Sequence, residues 1–573
     1  MESWLTSSTR DFVLEGTCEE ASKKEVFDQF NTNVFGAIKV AHAVISYLRA
    51  QPCSVIANFG SIASWGGFPA ASFYNSSKWA ISGFTESIPV ELAAFKINCT
   101  VMVDVPFLAP NSVEWTREIS SYNIRLNCTP AAVAVPQSIN QIQAAVSCGI
   151  KNHVRVSAKG GGHSFGSFGL GGEDGHLVIE LCHMRQITLK DDNTAKIQPG
   201  ARLLDVATEL YSQGRRAISH GSCLGVGIAG HVLHGGFGFA SRTHGLALDW
   251  LIGATVILAD GSVLHCSATE NKDLFWALRG AGSSFGIVAE FEFETFAAPD
   301  KVTPFDVELS WDQASAVAVI GALQRFAASA PKELNLMLDI TPTTKTISGV
   351  YYGDQTDANE ALRPLLDGVA GNFSAARTIG WIEALMHFDD LPPLDPHEPH
   401  DTFYATSFMT SALTVGQAQS LAAALFTNTS NLSAHDSLYL SVEAHGGNNS
   451  AVADVSPSAT AYVHRDKLLL FQLFDGGVGG HYPEEGFSLL GAIRESVTGS
   501  MAEGRWGMYA NYIDTEQDAE TAARLYWGNN VPRLQRIKAE LDPRQVFWNP
   551  QGIQPIGHSF TLQPMRHDYK WSA

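Results

Sequence analysis

The sequence predicts an α+β protein preceded by a truncated α/β fragment. Three observations carry this. Strand-like and helix-like patterns alternate up to about residue 110. Two glycine-rich stretches, 160–172 and 221–238, then lie beside apolar strands. From Asp300 to about residue 490, strands and helices mix with longer polar loops. Short apolar runs alternating with segments of 3.6-residue period mark βα units and a parallel sheet.

In chain order, Phe27 to Arg49 has helical spacing, and Ser54–Phe59 is a short apolar strand. Tyr74 to Phe95 is helical again, and Ile97 to Val105 is a second strand. At Asn111 the character changes. Ser121–Leu126 and Thr129–Pro136 enter a new domain, and Ile139 to Cys148 is a short amphipathic helix. Val154–Lys159 is a strand feeding the first glycine-rich turn. The tail, Trp506 to Ile553, holds a strand and one strong helix, Glu516 to Leu541. The expected divisions are 1–110, a cofactor domain at 111–300, a substrate domain at 301–490, and a segment at 491–560 that returns to the cofactor domain.

The 573 residues suit three or four globular units at roughly 150 residues each. With 58 acidic against 38 basic residues the net charge is -20, which argues against nucleic acid as a partner. No apolar run reaches the roughly 18 residues that span a bilayer, so no membrane association is expected. The opening Met1–Leu5 has neither the basic nor the apolar region of a secretory signal. Seven N-x-[ST] sequons begin at Asn75, Asn98, Asn127, Asn372, Asn428, Asn431 and Asn448, and the four within 372–450 point the other way, toward a glycoprotein of the secretory route. The compartment and the oligomeric state stay open. The eight cysteines form no CxxC pair, and no metal site is expected.

Within the leading fragment, Tyr74-Asn75-Ser76-Ser77-Lys78 fits a Y-x-x-x-K pattern, Ser61 precedes Tyr74 by thirteen residues, and Asn33 lies in a helix. These residues resemble the short-chain dehydrogenase family, in which a tyrosine acts as acid/base with a lysine lowering its pKa. That family binds its dinucleotide on a glycine-rich turn after the first strand. Nothing before Asn33 supplies such a turn, so the fragment reads as a truncated Rossmann-like fold that binds neither NAD nor NADP.

The second part carries the chemistry. Three glycines after a strand, Gly160-Gly161-Gly162, let a backbone approach a ligand, and their N–H groups can form an anion-binding nest. Gly225-Val226-Gly227-Ile228-Ala229-Gly230 formally satisfies G-x-G-x-x-G, but no strand precedes it, so a Rossmann reading fails. Together, Gly160–Ser164, Gly221-Ser222-Cys223, Gly227-x-x-Gly230-His231, Leu246-x-x-Asp249, Asn271–Gly280, Phe285-Gly286-Ile287-Val288 and Trp548-Asn549-Pro550-Gln551 form a specific constellation. It resembles the FAD-linked oxidases of the vanillyl-alcohol-oxidase (PCMH-type) fold, in the branch of berberine bridge enzymes and oligosaccharide oxidases. The resemblance covers about 112–553.

That resemblance implies FAD bound at two points, by His163 to the flavin 8α-methyl and by Cys223 to C6. Gly160, Gly161, Gly162, Ser164, Ser222, Val226, Gly227, Gly230, His231, Ile287, Val288 and Asn511 would line the cofactor. Val226 matches a position beside the oxygen-reactive face, where a residue no larger than valine implies an oxidase. Met508–Asp514 resembles the family's Y-x-N-Y-x-D strand, which makes Tyr512 the base. Free tyrosine is a poor base near neutrality, with a pKa of about 10, so it needs a partner. Tyr439–Gly447 alternates like a strand and puts Tyr439, Ser441 and Glu443 on one face. Glu443 is then the assisting acid.

Gln472 and Tyr404 match substrate-binding positions, and Tyr439, Ser441 and Phe165 stand where the family has tryptophan, glutamine and tyrosine. The implied reaction oxidises the anomeric hydroxyl of a carbohydrate to a lactone, with hydride passing to flavin N5 and O2 reduced to H2O2. A dehydrogenase or oxidative cyclase acting on a secondary metabolite, and a non-catalytic flavin-binding shell, are the alternatives.

Overall fold

A computed structural model of the chain describes residues 20–48, 54–59, 72–92, 97–102, 105–110, 112–375, 377–388, 401–429, 437–477 and 481–557. The chain divides into two compact units, Met1–Pro106 with Ser138–Ala145, and Phe107–Gln137 with Val146–Ala573.

In the first unit, helix Lys23–Phe30 begins at a capping box. The Ser22 hydroxyl accepts the Glu25 N–H, and the Glu25 carboxylate accepts the Ser22 N–H at 2.9 Å. The helical run expected from Phe27 to Arg49 continues as a π-helical turn, Asn31–Gly36, and helix Ala37–Leu48. Strands β1 (Ser54–Phe59) and β2 (Ile97–Met102) pair in parallel, with helix Ser72–Leu92 between them in sequence. The side-chain amides of Gln29 and Asn33 donate to the Ser77 hydroxyl at 3.4 and 3.3 Å. Lys78 is buried, with its ammonium 5.6 Å from the Tyr74 ring centre. Ser61 lies outside the described residues.

The second unit is built on three main sheets. β3 (Ala132–Ala134), β4 (Val156–Lys159) and β5 (Leu177–Glu180) form a parallel sheet in the order β3-β5-β4. β6 (Ile187–Leu189), β7 (Ala195–Ile197), β9 (Leu251–Ile257), β10 (Val263–Ser267) and β11 (Ile287–Phe293) form an antiparallel sheet in the order β10-β9-β11-β7-β6. The short β8 (Arg216–Ala217) pairs with β12 (Phe296–Ala297). The third sheet has eight antiparallel strands: β13 (Thr303–Leu309), β14 (Leu334–Ile340), β15 (Lys345–Tyr351), β16 (Gly371–Ala375), β17 (Phe403–Thr410), β18 (Tyr439–Ala444), β19 (Leu469–Gly476) and β20 (Trp506–Gly507). Their order is β16-β13-β15-β14-β18-β19-β17-β20.

Two apolar cores follow from these layers. One joins the five-stranded sheet to helices Leu203–Gly214, Lys272–Ala281 and Val531–Leu541 through Leu210, Phe275, Phe291 and Leu534. The other lies between the large sheet and helices Gln313–Ser329, Val415–Thr429 and Glu484–Thr498, through Leu323, Phe408, Leu421, Phe471 and Leu490. Burying each such side chain is worth about 1.5–3 kcal/mol.

Arg242, fully buried, ties the two regions together. It donates to the carbonyls of Leu334 at 3.0 Å and of Ala327 and Ala330 at 3.2 Å, and also to that of Gly446. Desolvation pulls its pKa down to about 10.

Two expectations for the tail are corrected. Met508–Asp514 is not a strand, because the Tyr512 N–H donates to the Tyr509 carbonyl at 2.9 Å and closes a turn. The single helix expected over Glu516–Leu541 is two helices, Ala519–Trp527 and Val531–Leu541, broken at Gly528, whose φ of +46° leaves the helical region. Among the described residues no helix is long and apolar enough to cross a membrane.

Candidate active site

A cavity of about 650 Å³ runs from the glycine-rich loops to one face of the eight-stranded sheet. Every site residue expected from the sequence lines it except Tyr404.

The cofactor end is made of two backbone loops in contact. A Cβ on Gly161 would sit 2.3 Å from the Gly227 nitrogen, so neither position tolerates a side chain without moving the other loop. Gly162 has φ +73°, the left-handed region. Arg202 clamps both loops by donating to the carbonyls of Gly161 and Gly225, the latter at 2.9 Å. Gly227 caps helix Ile228–Leu233. A Cβ on Gly230, which also lines the cavity, would meet nothing within 4 Å.

Behind these loops, the Lys159 ammonium lies between Glu118 at 2.9 Å and Glu180 at 2.7 Å. Burial raises the Glu180 pKa, and despite burial the lysine holds that of Glu118 down. Glu118, Glu180 and Cys182 are the one group with metal-ligand proximity among the described residues, and the Lys159 ammonium already pairs with both of its carboxyl groups.

The C-terminal turn closes over the second loop. Asn511 donates to the His231 carbonyl at 3.1 Å and to the Tyr509 hydroxyl at 3.0 Å. The Tyr509 hydroxyl accepts the N–H groups of Gly236 and Phe237 at 2.9 and 3.1 Å. The His231 Nε2 accepts the Gly221 N–H at 2.9 Å, fixing the loop that carries Ser222 and Cys223. Desolvation pulls the His231 pKa down to about 3, which keeps the ring neutral and able to accept.

At the other end, Tyr512 donates to the Glu443 Oε1 at 3.2 Å. The Glu443 Oε2 is buried and has no hydrogen-bond partner among the described residues. Burial pushes the Glu443 carboxyl up to about 8, opposed by the Tyr512 hydrogen bond and aided by the charge of Asp339. Burial, then the Glu443 charge, hold the Tyr512 hydroxyl well above its ordinary value. Strand alternation does put Tyr439, Ser441 and Glu443 of β18 on the cavity face, with Gln472 of β19 opposite Ser441. Gln472 donates to the Tyr439 hydroxyl at 3.1 Å.

Tyr404 is corrected. Ser407 of β17 lies opposite Gln472, and Tyr404, three residues away, points to the other face. There its hydroxyl donates to Asp514 at 2.8 Å, and its ring packs 4.9 Å from that of Phe487. It is part of the sheet–helix core.

Among the cavity residues that sequence reasoning missed are Tyr122, Met337 and Asp339. Tyr122 stacks on His163 with ring centres 4.4 Å apart and on Phe165 at 6.2 Å; Phe165 in turn stacks on Tyr512 at 6.2 Å. No pattern around Tyr122 marks it. Met337 and Asp339 sit at alternate positions of β14, and a lone acid in the apolar run Leu334–Ile340 was the available signal.

Two close-packed glycine loops facing a carboxylate–tyrosine pair define a dinucleotide-dependent oxidoreductase, and similarity to known proteins agrees. A FAD binding domain family matches residues 130–267, a berberine and berberine like family matches 508–554, and a short chain dehydrogenase family matches 14–124. Chitooligosaccharide oxidase from Gibberella zeae is 46% identical, over 82% of this chain and 96% of that protein. Glucooligosaccharide oxidase from Sarocladium strictum is 42% identical, over 80% and 94%. A solved glucooligosaccharide oxidase from Acremonium strictum, described with a 6-S-cysteinyl, 8α-N1-histidyl FAD, superposes with a TM-score of 0.76 at 41% identity, covering 82% of this chain and all of that one. The chain belongs to the FAD-linked oxidases of the vanillyl-alcohol-oxidase fold, in the branch of berberine bridge enzymes and oligosaccharide oxidases.

Proposed function

We propose that this protein is a bicovalent FAD-dependent oligosaccharide oxidase that converts an anomeric hydroxyl to a lactone and reduces O2 to H2O2. The carrying observation is the Tyr512–Glu443 hydrogen bond at 3.2 Å, in the same cavity as His163 and Cys223. The residues fit FAD. Backbone loops too close for side chains suit a pyrophosphate, Gly230 leaves open space, and the cavity is of cofactor size. His163 and Cys223 would attach the flavin, and Gly160–Gly162 with Ser164 would meet the phosphates. When bound, the flavin accepts hydride from the sugar carbon and returns the electrons to oxygen.

The protein's own residues handle the proton. A phenol at its ordinary pKa cannot deprotonate a sugar at neutral pH. Here Tyr512 already donates to Glu443. As the phenol oxygen takes the anomeric proton, its own proton passes to the carboxylate. Burial places the Glu443 carboxyl at about 8, close to working pH, where a proton acceptor is most effective. A flavin shell without catalysis has no use for a buried carboxylate whose Oε2 lacks a partner.

The test is anaerobic mixing of the yellow protein with cello-, xylo- and chito-oligosaccharides, followed by aerobic turnover. Bleaching of the flavin by at least one sugar, with one peroxide formed per lactone, is expected. Bleaching without peroxide would make the protein a dehydrogenase. No bleaching by any sugar would defeat the reading.

A further inference from the structure

We infer that Asp339 is a specificity-determining residue that selects an oligosaccharide whose oxidised ring carries a free amino group, bound as ammonium. The inference rests on the oxidase reading and names its substrate class.

Asp339 lies on β14 opposite Ser441 of β18, and Ser441 lies opposite Gln472 of β19. The three form one polar row on the cavity face, with the Ser441 hydroxyl donating to the Asp339 carboxylate. Glu443 is in the next row, opposite Met337. Asp339 and Glu443 are therefore diagonal neighbours, about 7–8 Å apart at the backbone. A pyranose with its anomeric hydroxyl at Tyr512 presents the substituents of its adjacent carbons within that span.

The charge balance selects among substituents. Asp339 and Glu443 are both carboxyl groups at the sugar end of the cavity. No arginine lines the cavity among the described residues, and its one lysine, Lys159, is held between Glu118 and Glu180. The hydrogen bond that Asp339 accepts comes from a neutral hydroxyl, that of Ser441. Burial, opposed by the Ser441 hydrogen bond and aided by the charge of Asp306, raises its pKa, as befits an anion short of a cation. A ligand ammonium supplies that cation through a charge-assisted hydrogen bond, about twice as strong as a neutral one. A hydroxyl donates to the carboxylate but brings no positive charge to the site, and an acetamido group supplies bulk without charge.

The test compares glucosamine, N-acetylglucosamine and glucose oligosaccharides of equal length on the flavin-loaded enzyme. The glucosamine oligomer should exceed the glucose oligomer in kcat/KM by about tenfold, and acetylating it should abolish the preference. Asp339→Asn should cut that ratio about tenfold, chiefly through KM for the amine, and Asp339→Glu should restore part of it. A wild-type ratio at or below one overturns the inference, as does a ratio that Asp339→Asn does not move. If Asp339→Asn does not take up flavin, the acetylation comparison on the wild type decides alone. Absence of flavin reduction by all three sugars would instead reject the oxidase reading.

Discussion

At the scale of single residues, the site divides into attachment and proton transfer, and each can be tested separately. His163→Ala should leave flavin held by Cys223 alone, and Cys223→Ala should leave it held by His163. Only the double variant should release flavin into the supernatant of acid-precipitated protein. Loss of all flavin from either single variant would falsify two-point attachment. Tyr512→Phe should lower the rate of flavin reduction by about 10²–10⁴, the worth of general-base catalysis, with flavin content unchanged; stopped-flow absorbance measures both.

The pH dependence follows from Glu443. Its carboxyl must be ionised to take the tyrosine proton, so kcat/KM should rise with pH and level off above about 8. Glu443→Gln should remove that rise along with most of the activity. Stability should run the opposite way. A carboxyl whose folded pKa is raised from 4.5 to about 8 favours folding fully below pH 4.5, and that contribution is lost as pH rises through 8. Glu443→Gln should therefore gain thermal stability over the wild type as pH goes from 5 to 8, read by paired thermal melts.

At the scale of elements, what the sequence revealed depended on whether a property was local. The order of Gly160–His163 after a strand, and the one-face alternation of Tyr439, Ser441 and Glu443, are local, and both are found in the structure. Tyr404 was misplaced because the face it occupies depends on strand register, here Ser407 against Gln472, which no local pattern reveals. The break at Gly528 was hidden because apolar spacing continues across it. Tyr122 reaches His163 from forty-one residues upstream, a tertiary contact with no sequence signal.

Helix Ser241–His244 carries the buried Arg242, so a single change there reaches several elements. Arg242→Ala would strip the carbonyls of Ala327, Leu334 and Gly446 of a donor, while that of Ala330 keeps the Asn449 amide. Buried acceptors without partners cost roughly 1–3 kcal/mol each. A loss of at least about 3 kcal/mol in denaturant unfolding is the expected outcome. A change below 1 kcal/mol would mean that water replaces the guanidinium.

At the scale of the molecule, the two compact units raise the question of which one the chemistry needs. All the cavity residues belong to the second unit. Near its start are the bridge between Phe107 and Ala134 and the Leu108 N–H donated to the Val133 carbonyl at 3.0 Å. A chain begun at Phe107 should therefore fold, load FAD and turn over at the rate of the full chain, while one begun at Asn111 forfeits that β-bridge and should load less flavin. Calorimetric titration with NADPH should give no heat with either the full or the shortened chain. Micromolar binding lost on shortening would show a working nucleotide site in the leading unit.

The turn at Tyr509–Tyr512 has a further consequence, concerning the order of synthesis. The loops that carry His163 and Cys223 are made early, yet their fastening by Tyr509 and Asn511 comes from almost the last tenth of the chain. The Gln551 amide then locks that tail by donating to the Asp514 carbonyl at 2.7 Å. A nascent chain on the ribosome thus holds both attachment residues for more than 280 residues before their pocket can close. Flavin capture is consequently an event of the finished polypeptide, and a chain stopped near residue 500 leaves the ribosome with its glycine loops clamped by Arg202 but without the fastening of Tyr509 and Asn511.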